Sequence, residues 1–138
     1  MKTKVLFLCT GNSCRSQMAE GFLRSLAGER FEAHSAGTRP STLNPLAVKA
    51  MSEAGVDISG HESKNASRFI AEEFTYVITV CDNAKESCPI FPGTSIRLHW
   101  PFDDPADATG SDEERLPVFR RVRDEINERI RDFVAQNK

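Results

Sequence analysis

The period of the hydrophobic pattern changes several times along the chain, and each change marks an element. Val5-Leu6-Phe7-Leu8 is an unbroken apolar run between Lys4 and Cys9. Without polar alternation, such a run suits a strand buried on both faces of a parallel sheet. Thr10-Gly11-Asn12-Ser13 is turn chemistry. Met18, Ala19, Phe22, Leu23 and Leu26 then recur at the three- and four-residue spacing of a helix, which Gly28 can stop. Phe31 to Ser35 predicts a second strand, ended by Ala36-Gly37. Asn44-Pro45 is an N-cap followed by proline at the first helical position, with Leu46, Val48, Met51 and Ala54 continuing the helix to Gly55. Residues 56–73 predict a strained loop with one short helix near Ala66 to Glu72. Tyr76 to Val80 is the strongest strand and Ile96 to His99 a weaker one. Val118, Phe119, Val122, Ile126, Ile130, Phe133 and Val134 make a long amphipathic C-terminal helix.

Alternation of this kind predicts an α/β fold: one domain over 1–138, with a four-stranded parallel sheet flanked by helices on both faces. Ligands of such sheets bind beyond the carboxyl ends of strands, where the strand order reverses. The Val5 and Tyr76 strands each end in a cysteine, Cys9 and Cys81.

Composition narrows the class. The 138 residues are 39% hydrophobic and 28% charged, which fits a globular domain with a single core. A net charge of -2 offers no field to recruit nucleic acid or an acidic membrane. Arg120, Arg121, Arg123, Arg129 and Arg131 interleave with acids and read as a solvated helix face. The apolar run after Met1 spans four residues, whereas a signal segment needs about 7–15 and a membrane span roughly 18. The expectation is a cytoplasmic protein. There its four cysteines are core residues, metal ligands, or redox and catalytic groups rather than structural disulfides.

The segment Cys9-Thr10-Gly11-Asn12-Ser13-Cys14-Arg15-Ser16 joins a strand to a helix. A cysteine and an arginine at this spacing can close around a tetrahedral oxyanion. Backbone N–H groups of Thr10, Gly11, Asn12, Ser13, Cys14 and Arg15 would then line the nest, and the following helix would present its positive end. Arg15 offers a planar fork to two anion oxygens. The same field favours a Cys9 thiolate, the nucleophilic form, and Ser16 can donate a hydrogen bond to it. A bare Cys-x5-Arg is common, and a buried cysteine ending a core strand is the competing reading. A nucleotide-binding loop is disfavoured by the absence of Gly-x4-Gly-Lys.

Cys81 and Cys88 form a second pair. In a helix they would share one face, about 10.5 Å apart along the axis. A disulfide needs Cα atoms roughly 4.4–6.8 Å apart, so a helical segment would have to unwind to form one. Two buried cysteines without redox role fit the same spacing. Zinc is disfavoured, because Cys9/Cys14 and Cys81/Cys88 do not make one short Cys-x2–4-Cys pair plus a second such pair at the spacing of a closed site. Asp103-Asp104-Pro105 reads either as a turn and helix start or as an acid on a loop over the anion, able to protonate a leaving oxygen. Trp100 and Phe102 read as packing beneath that loop, and His34, His61 and His99 as structural.

The run from Val5 to Gly21, with Cys9-Thr10-Gly11-Asn12-Ser13-Cys14-Arg15-Ser16-Gln17-Met18-Ala19-Glu20 at its centre, resembles the signature of thioredoxin-coupled arsenate reductases. These share a fold with low-molecular-weight protein tyrosine phosphatases, which usually place proline after the serine. The resemblance runs from Lys4 to Phe133 and includes Cys88-Pro89-Ile90. It implies that Cys9 attacks arsenate (phosphate or sulfate being analogues), held by Arg15 and the loop amides, while Asp104 is the general acid and Asp103 a neighbour that can cap the loop. It further implies that Cys81 and then Cys88 carry the oxidation as a disulfide, re-reduced by thioredoxin with no bound cofactor. Phosphatases of this fold have aromatic residues after the Asp-Pro, where this chain has Ala106 and Asp107. Some of these reductases bind potassium. Asn12, Glu20 and Ser35 match those ligands, but Lys64 stands in place of the remaining acid, so the expectation is an ammonium in the cation's role and no metal. The chain is expected to be a monomer. The rival readings are a phosphatase or other phosphomonoesterase using Cys9, Arg15 and Asp104, and an oxyanion-binding redox sensor without turnover.

Overall fold

Four parallel strands lie in the order β2-β1-β3-β4, with β1 spanning Thr3–Cys9, β2 Phe31–Gly37, β3 Tyr76–Thr79 and β4 Ile96–His99. The structure, a computed structural model, describes residues 2–80 and 95–137. Cys81 and Cys88, with Pro89 and Ile90, lie outside the described residues.

The apolar run of β1 is central because both of its neighbours pair with it: Val5 aligns with Ala33 of β2 and with Tyr76 of β3. Val5, Leu6, Phe7 and Leu8 are all fully buried, as an unalternated run requires. β2 continues through Ala36 and Gly37, two residues expected to end it, since they pair with Leu8 and Cys9. β2 and β4 are the edges, and Ile96 of β4 is exposed.

Helix α1 (Arg15–Ala27) and helix α3 (Asp112–Gln136) pack against each other on the sheet face that carries Val5 and Phe7. On that face Phe31 meets Phe133 at 5.5 Å between ring centroids, and Trp100 sits between Phe7 and Phe133. The opposite face is covered by a short 3-10 helix, Ala66–Phe69, on whose Phe69 His34 stacks at 5.3 Å. The 3-10 helix is shorter than the expected Ala66 to Glu72: Asn65 Oδ1 caps its start, and Ile70, whose N–H donates to Ser67 O, caps its end. Helix α2 (Pro45–Glu53) is tied to α3 by Arg123, which donates to Ala50 O at 2.9 Å, and by the two-pronged Arg120–Glu53 pair.

Local sequence explains the helix ends. Asn44 Oδ1 accepts from Leu46 N–H at the start of α2, as the Asn-Pro pair predicts. α3 begins ahead of Val118 because Ser111 and Glu114 form a capping box and Asp112, Glu113 and Glu114 face its positive end. Its buried stripe is Leu116, Phe119, Val122, Ile126, Ile130 and Phe133. α1 does end at Gly28, but that residue keeps a right-handed backbone (φ −59°). What it supplies is room: a Cβ there would lie 2.5 Å from Arg24 O.

Candidate active site

The loop between β1 and α1 is built around one unusual backbone position. Asn12 adopts φ 49°, in the left-handed region that asparagine tolerates better than most residues. This turn brings the Asn12 N–H to within 3.1 Å of Cys9 Sγ. Ser16, in the first turn of α1, stands 2.8 Å from the same sulfur. Asn12 Nδ2 donates to Ser16 Oγ at 2.8 Å, which occupies that oxygen as an acceptor and leaves the Ser16 hydrogen for Cys9. Two donors therefore converge on the sulfur of a residue that is 2% exposed. Hydrogen bonds of this kind favour a thiolate over a thiol.

The loop is clamped from the β2 side. Thr38 N–H donates to Cys9 O, Arg39 N–H to Thr10 O and Ser41 N–H to Gly11 O, while Asn44 N–H reaches Ser13 O. Ser63 Oγ adds a bond to Gly11 O at 2.9 Å. Gly37 makes the close approach possible: a Cβ there would lie 2.4 Å from Thr10 O and 3.0 Å from Asn12 N. Helix α1 starts after Cys14, whose side chain makes no cap hydrogen bond to its first N–H groups.

Arg15 lies across the loop from Cys9 in sequence and is held by the segment that follows β4. One guanidinium nitrogen donates to Phe102 O at 3.0 Å, and the other stands 3.3 Å from Asp104 Oδ2. Asp104 Oδ1 accepts from Ala106 N–H and caps the short 3-10 helix Pro105–Asp107. Asp104 therefore starts a short helix and stands beside Arg15 of the loop. The expected cap role of Asp103 does not hold. Its carboxylate is drawn outward to Arg121 of α3 at 3.1 Å, which leaves the cap to Asp104. Trp100 is buried and Phe102 packs against the core, as expected of residues beneath the loop.

Cys14 points away from solvent, beside Ser13 Oγ at 3.6 Å. Burial pushes its thiol up to about 12, so it stays protonated at neutral pH.

Glu20 is the one nearly buried carboxylate behind the loop among the described residues. Ser35 Oγ donates to it at 2.6 Å, Arg24 pairs with it at 3.0 Å, and Lys64 Nζ stands 3.7 Å away. Lys64 also reaches the loop through its backbone, its N–H donating to Asn12 Oδ1 at 2.8 Å. The residues matched to a cation site are thus together, with an ammonium and a guanidinium around the carboxylate. No group of three or more His, Cys, Asp or Glu side chains placed to hold a metal occurs among the described residues.

Gln17 and His61 were not expected in the site. Gln17 is fully buried and bonds to Asn12, and His61 Nδ1 lies 3.0 Å from Gln17 Oε1. Nothing in the spacing of the sequence joins His61 to Gln17, because 44 residues separate them.

Residues 4–138 match the family model described as low molecular weight phosphotyrosine protein phosphatase. The chain belongs to this family. Within the low-molecular-weight phosphatase family its similarities lie with reductases. An arsenate reductase of Halalkalibacterium halodurans is 48% identical over 137 residues, covering 99% of each chain. A solved structure of an arsenate reductase in its oxidised state matches with a TM-score of 0.84 and 35% identity over 100% of both chains. A thioredoxin-dependent arsenate reductase of Corynebacterium glutamicum matches with a TM-score of 0.73 and 31% identity, over 98% of this chain and 61% of that one. No helix among the described residues is long and apolar enough to cross a membrane.

Proposed function

We propose that this chain reduces arsenate to arsenite, with Cys9 as nucleophile and thioredoxin as the source of electrons. The observation that carries the reading is the convergence of Asn12 N–H and Ser16 Oγ on Cys9 Sγ, with the Arg15 guanidinium in the same loop. Arginine and backbone amides suit a tetrahedral dianion, and a hydrogen-bonded thiolate suits attack on it.

In the proposed reaction the Cys9 thiolate bonds to arsenic, and an arsenate oxygen leaves as water after Asp104 supplies a proton. Cys81 thiolate then attacks the Cys9 sulfur. The sulfur–arsenic bond pair stays with arsenic, which departs as arsenite, reduced by two electrons. Cys88 displaces Cys9 from Cys81, leaving a Cys81–Cys88 disulfide and a regenerated Cys9. Thioredoxin thiols reduce that disulfide, so the electrons balance without a bound cofactor. Such a cycle fits a reducing compartment, the cytoplasm, and a monomer suffices for it.

The same loop accepts phosphate, and we expect slow hydrolysis of phosphomonoesters as a side activity. The Asp104-Pro105-Ala106-Asp107 sequence supplies no aromatic grip for a phosphotyrosyl ring. The test is NADPH consumption with thioredoxin and thioredoxin reductase, with arsenate supplied and omitted. Arsenate-dependent consumption that Cys81→Ser abolishes, while phosphomonoester hydrolysis survives, is the expected result. Phosphomonoester hydrolysis with no arsenate-dependent NADPH consumption would make the chain a phosphatase, and neither activity would leave an anion-binding module.

A further inference from the structure

Gln17 is the residue of the loop motif for which the proposed chemistry has no use, yet it is as buried as any in the core. It sits in the first turn of α1 and reaches back into the loop. Its Nε2 has acceptors on three sides: Asn12 Oδ1 at 2.9 Å, Asn12 O at 3.1 Å and Glu62 O at 2.9 Å. Its Oε1 faces His61 Nδ1 at 3.0 Å. The other ring nitrogen of His61 faces Arg24 Nη1 at 3.4 Å, a group that can only donate. The proton of a neutral His61 therefore belongs on Nδ1, where it donates to Gln17. Each end of the Gln17 amide is thus assigned by the character of its partners, and the amide cannot be flipped without losing all of them.

The consequence passes to the sulfur. Gln17 Nε2 and the Lys64 N–H both donate to Asn12 Oδ1, so the other end of the Asn12 amide, Nδ2, must face Ser16. Nδ2 donates to Ser16 Oγ, and that sends the Ser16 hydrogen to Cys9. Gln17 also holds Asn12 O, on the residue whose backbone is left-handed and whose N–H reaches the sulfur. We infer that Gln17 is a positioning residue for Cys9: by fixing both the amide and the backbone of Asn12, it aims the two donors that hold the sulfur. Proline, usual here in the phosphatases, has no side-chain donor for this task. The inference rests on Cys9 as the reacting group but not on arsenate as its substrate.

The test is a titration of Cys9 itself in the reduced full-length chain, without arsenate or thioredoxin. Cys9 alkylation by iodoacetamide is followed against pH by peptide mass, beside a thermal melt of the same sample. Gln17→Met keeps the bulk and removes the amide. The alkylation midpoint is expected to rise by about one pH unit, the size of one lost charge-assisted hydrogen bond. A purely structural Gln17 predicts a lower melting temperature with the midpoint unmoved, and that result overturns the inference. If Gln17→Met does not melt cooperatively, His61→Phe decides, since it removes the donor that assigns Gln17 Oε1. Its midpoint should move in the same direction by a smaller amount, and an unmoved midpoint in folded His61→Phe is equally fatal. Because no turnover is read, a chain that fails to reduce arsenate would leave this result standing.

Discussion

Arg15 Nη2 stands 3.3 Å from Asp104 Oδ2, so the guanidinium of the anion loop is already partnered by the carboxylate proposed as its acid. The pair joins the start of α1 to the segment after β4, and only part of Asp104 reaches solvent. In the proposed reaction an incoming oxyanion would compete with Asp104 for the fork, so that binding the substrate and freeing the acid would be one event.

Asp104→Asn separates these two roles. Removing the competing charge should tighten phosphate binding about fivefold, the equivalent of ~1 kcal/mol. Loss of the acid should lower kcat by about 10² or more. Calorimetric titration with phosphate, beside steady-state kinetics, checks both. Weaker phosphate binding would show that Asp104 assists the anion rather than competing with it.

Gly37→Ala should damage the site from outside it. The new Cβ meets the backbone oxygen of Thr10 at 2.4 Å, so the loop must shift. The expected cost is roughly 1–3 kcal/mol of stability, read in a urea melt, together with slower Cys9 alkylation because Asn12 N lies 3.0 Å from the same point.

Cys14 should behave as a core thiol. With its value pushed up to about 12 by burial, it should resist iodoacetamide at pH 8 in the folded chain and react once urea is added. The folded state holds this proton more tightly than the unfolded chain, whose cysteine has the ordinary value of 9.0. Its stabilising contribution is therefore complete below pH 9 and is lost as pH rises toward 12. Alkaline denaturation of Cys14→Ala should show a shallower decline over that window.

His61 should make the fold sensitive to mild acid. Desolvation lowers its value from 6.5, Arg24 and Lys64 act in the same direction, and Glu20 and Asp57 oppose them. The unfolded chain then takes up a proton that the folded chain does not, so stability falls as pH drops through 6.5. Urea midpoints at pH 7.5 and pH 5.5 should differ more for the native chain than for His61→Gln. An equal difference would show that other groups set the acid limit.

Much of this architecture was legible before any coordinates. Val5 to Leu8 reads as a doubly buried strand because four apolar residues without alternation have no solvated side. The α3 stripe and the Asn44 cap are equally local, and both appear where the pattern puts them. Boundaries were less legible where a neighbour decides them. β2 runs on through Gly37 because β1 offers Cys9 as a partner, a fact that lies outside the β2 segment.

The sequence by itself determined the Cys9-to-Arg15 loop, because its residues are contiguous and the turn preferences of Gly11 and Asn12 act locally. Only the tertiary structure decided what stands behind that loop. Arg15 meets Phe102 across 87 residues, Lys64 meets Asn12 across 52, and His61 meets Gln17 across 44. Such contacts exist because the strands run parallel, which places the carboxyl ends of β1, β2 and β4 at one end of the sheet, and no local periodicity encodes how strands pair. The loop that can hold an oxyanion is written in one stretch of chain. The orientation of each hydrogen bond that reaches its sulfur comes from residues the fold brings up behind it.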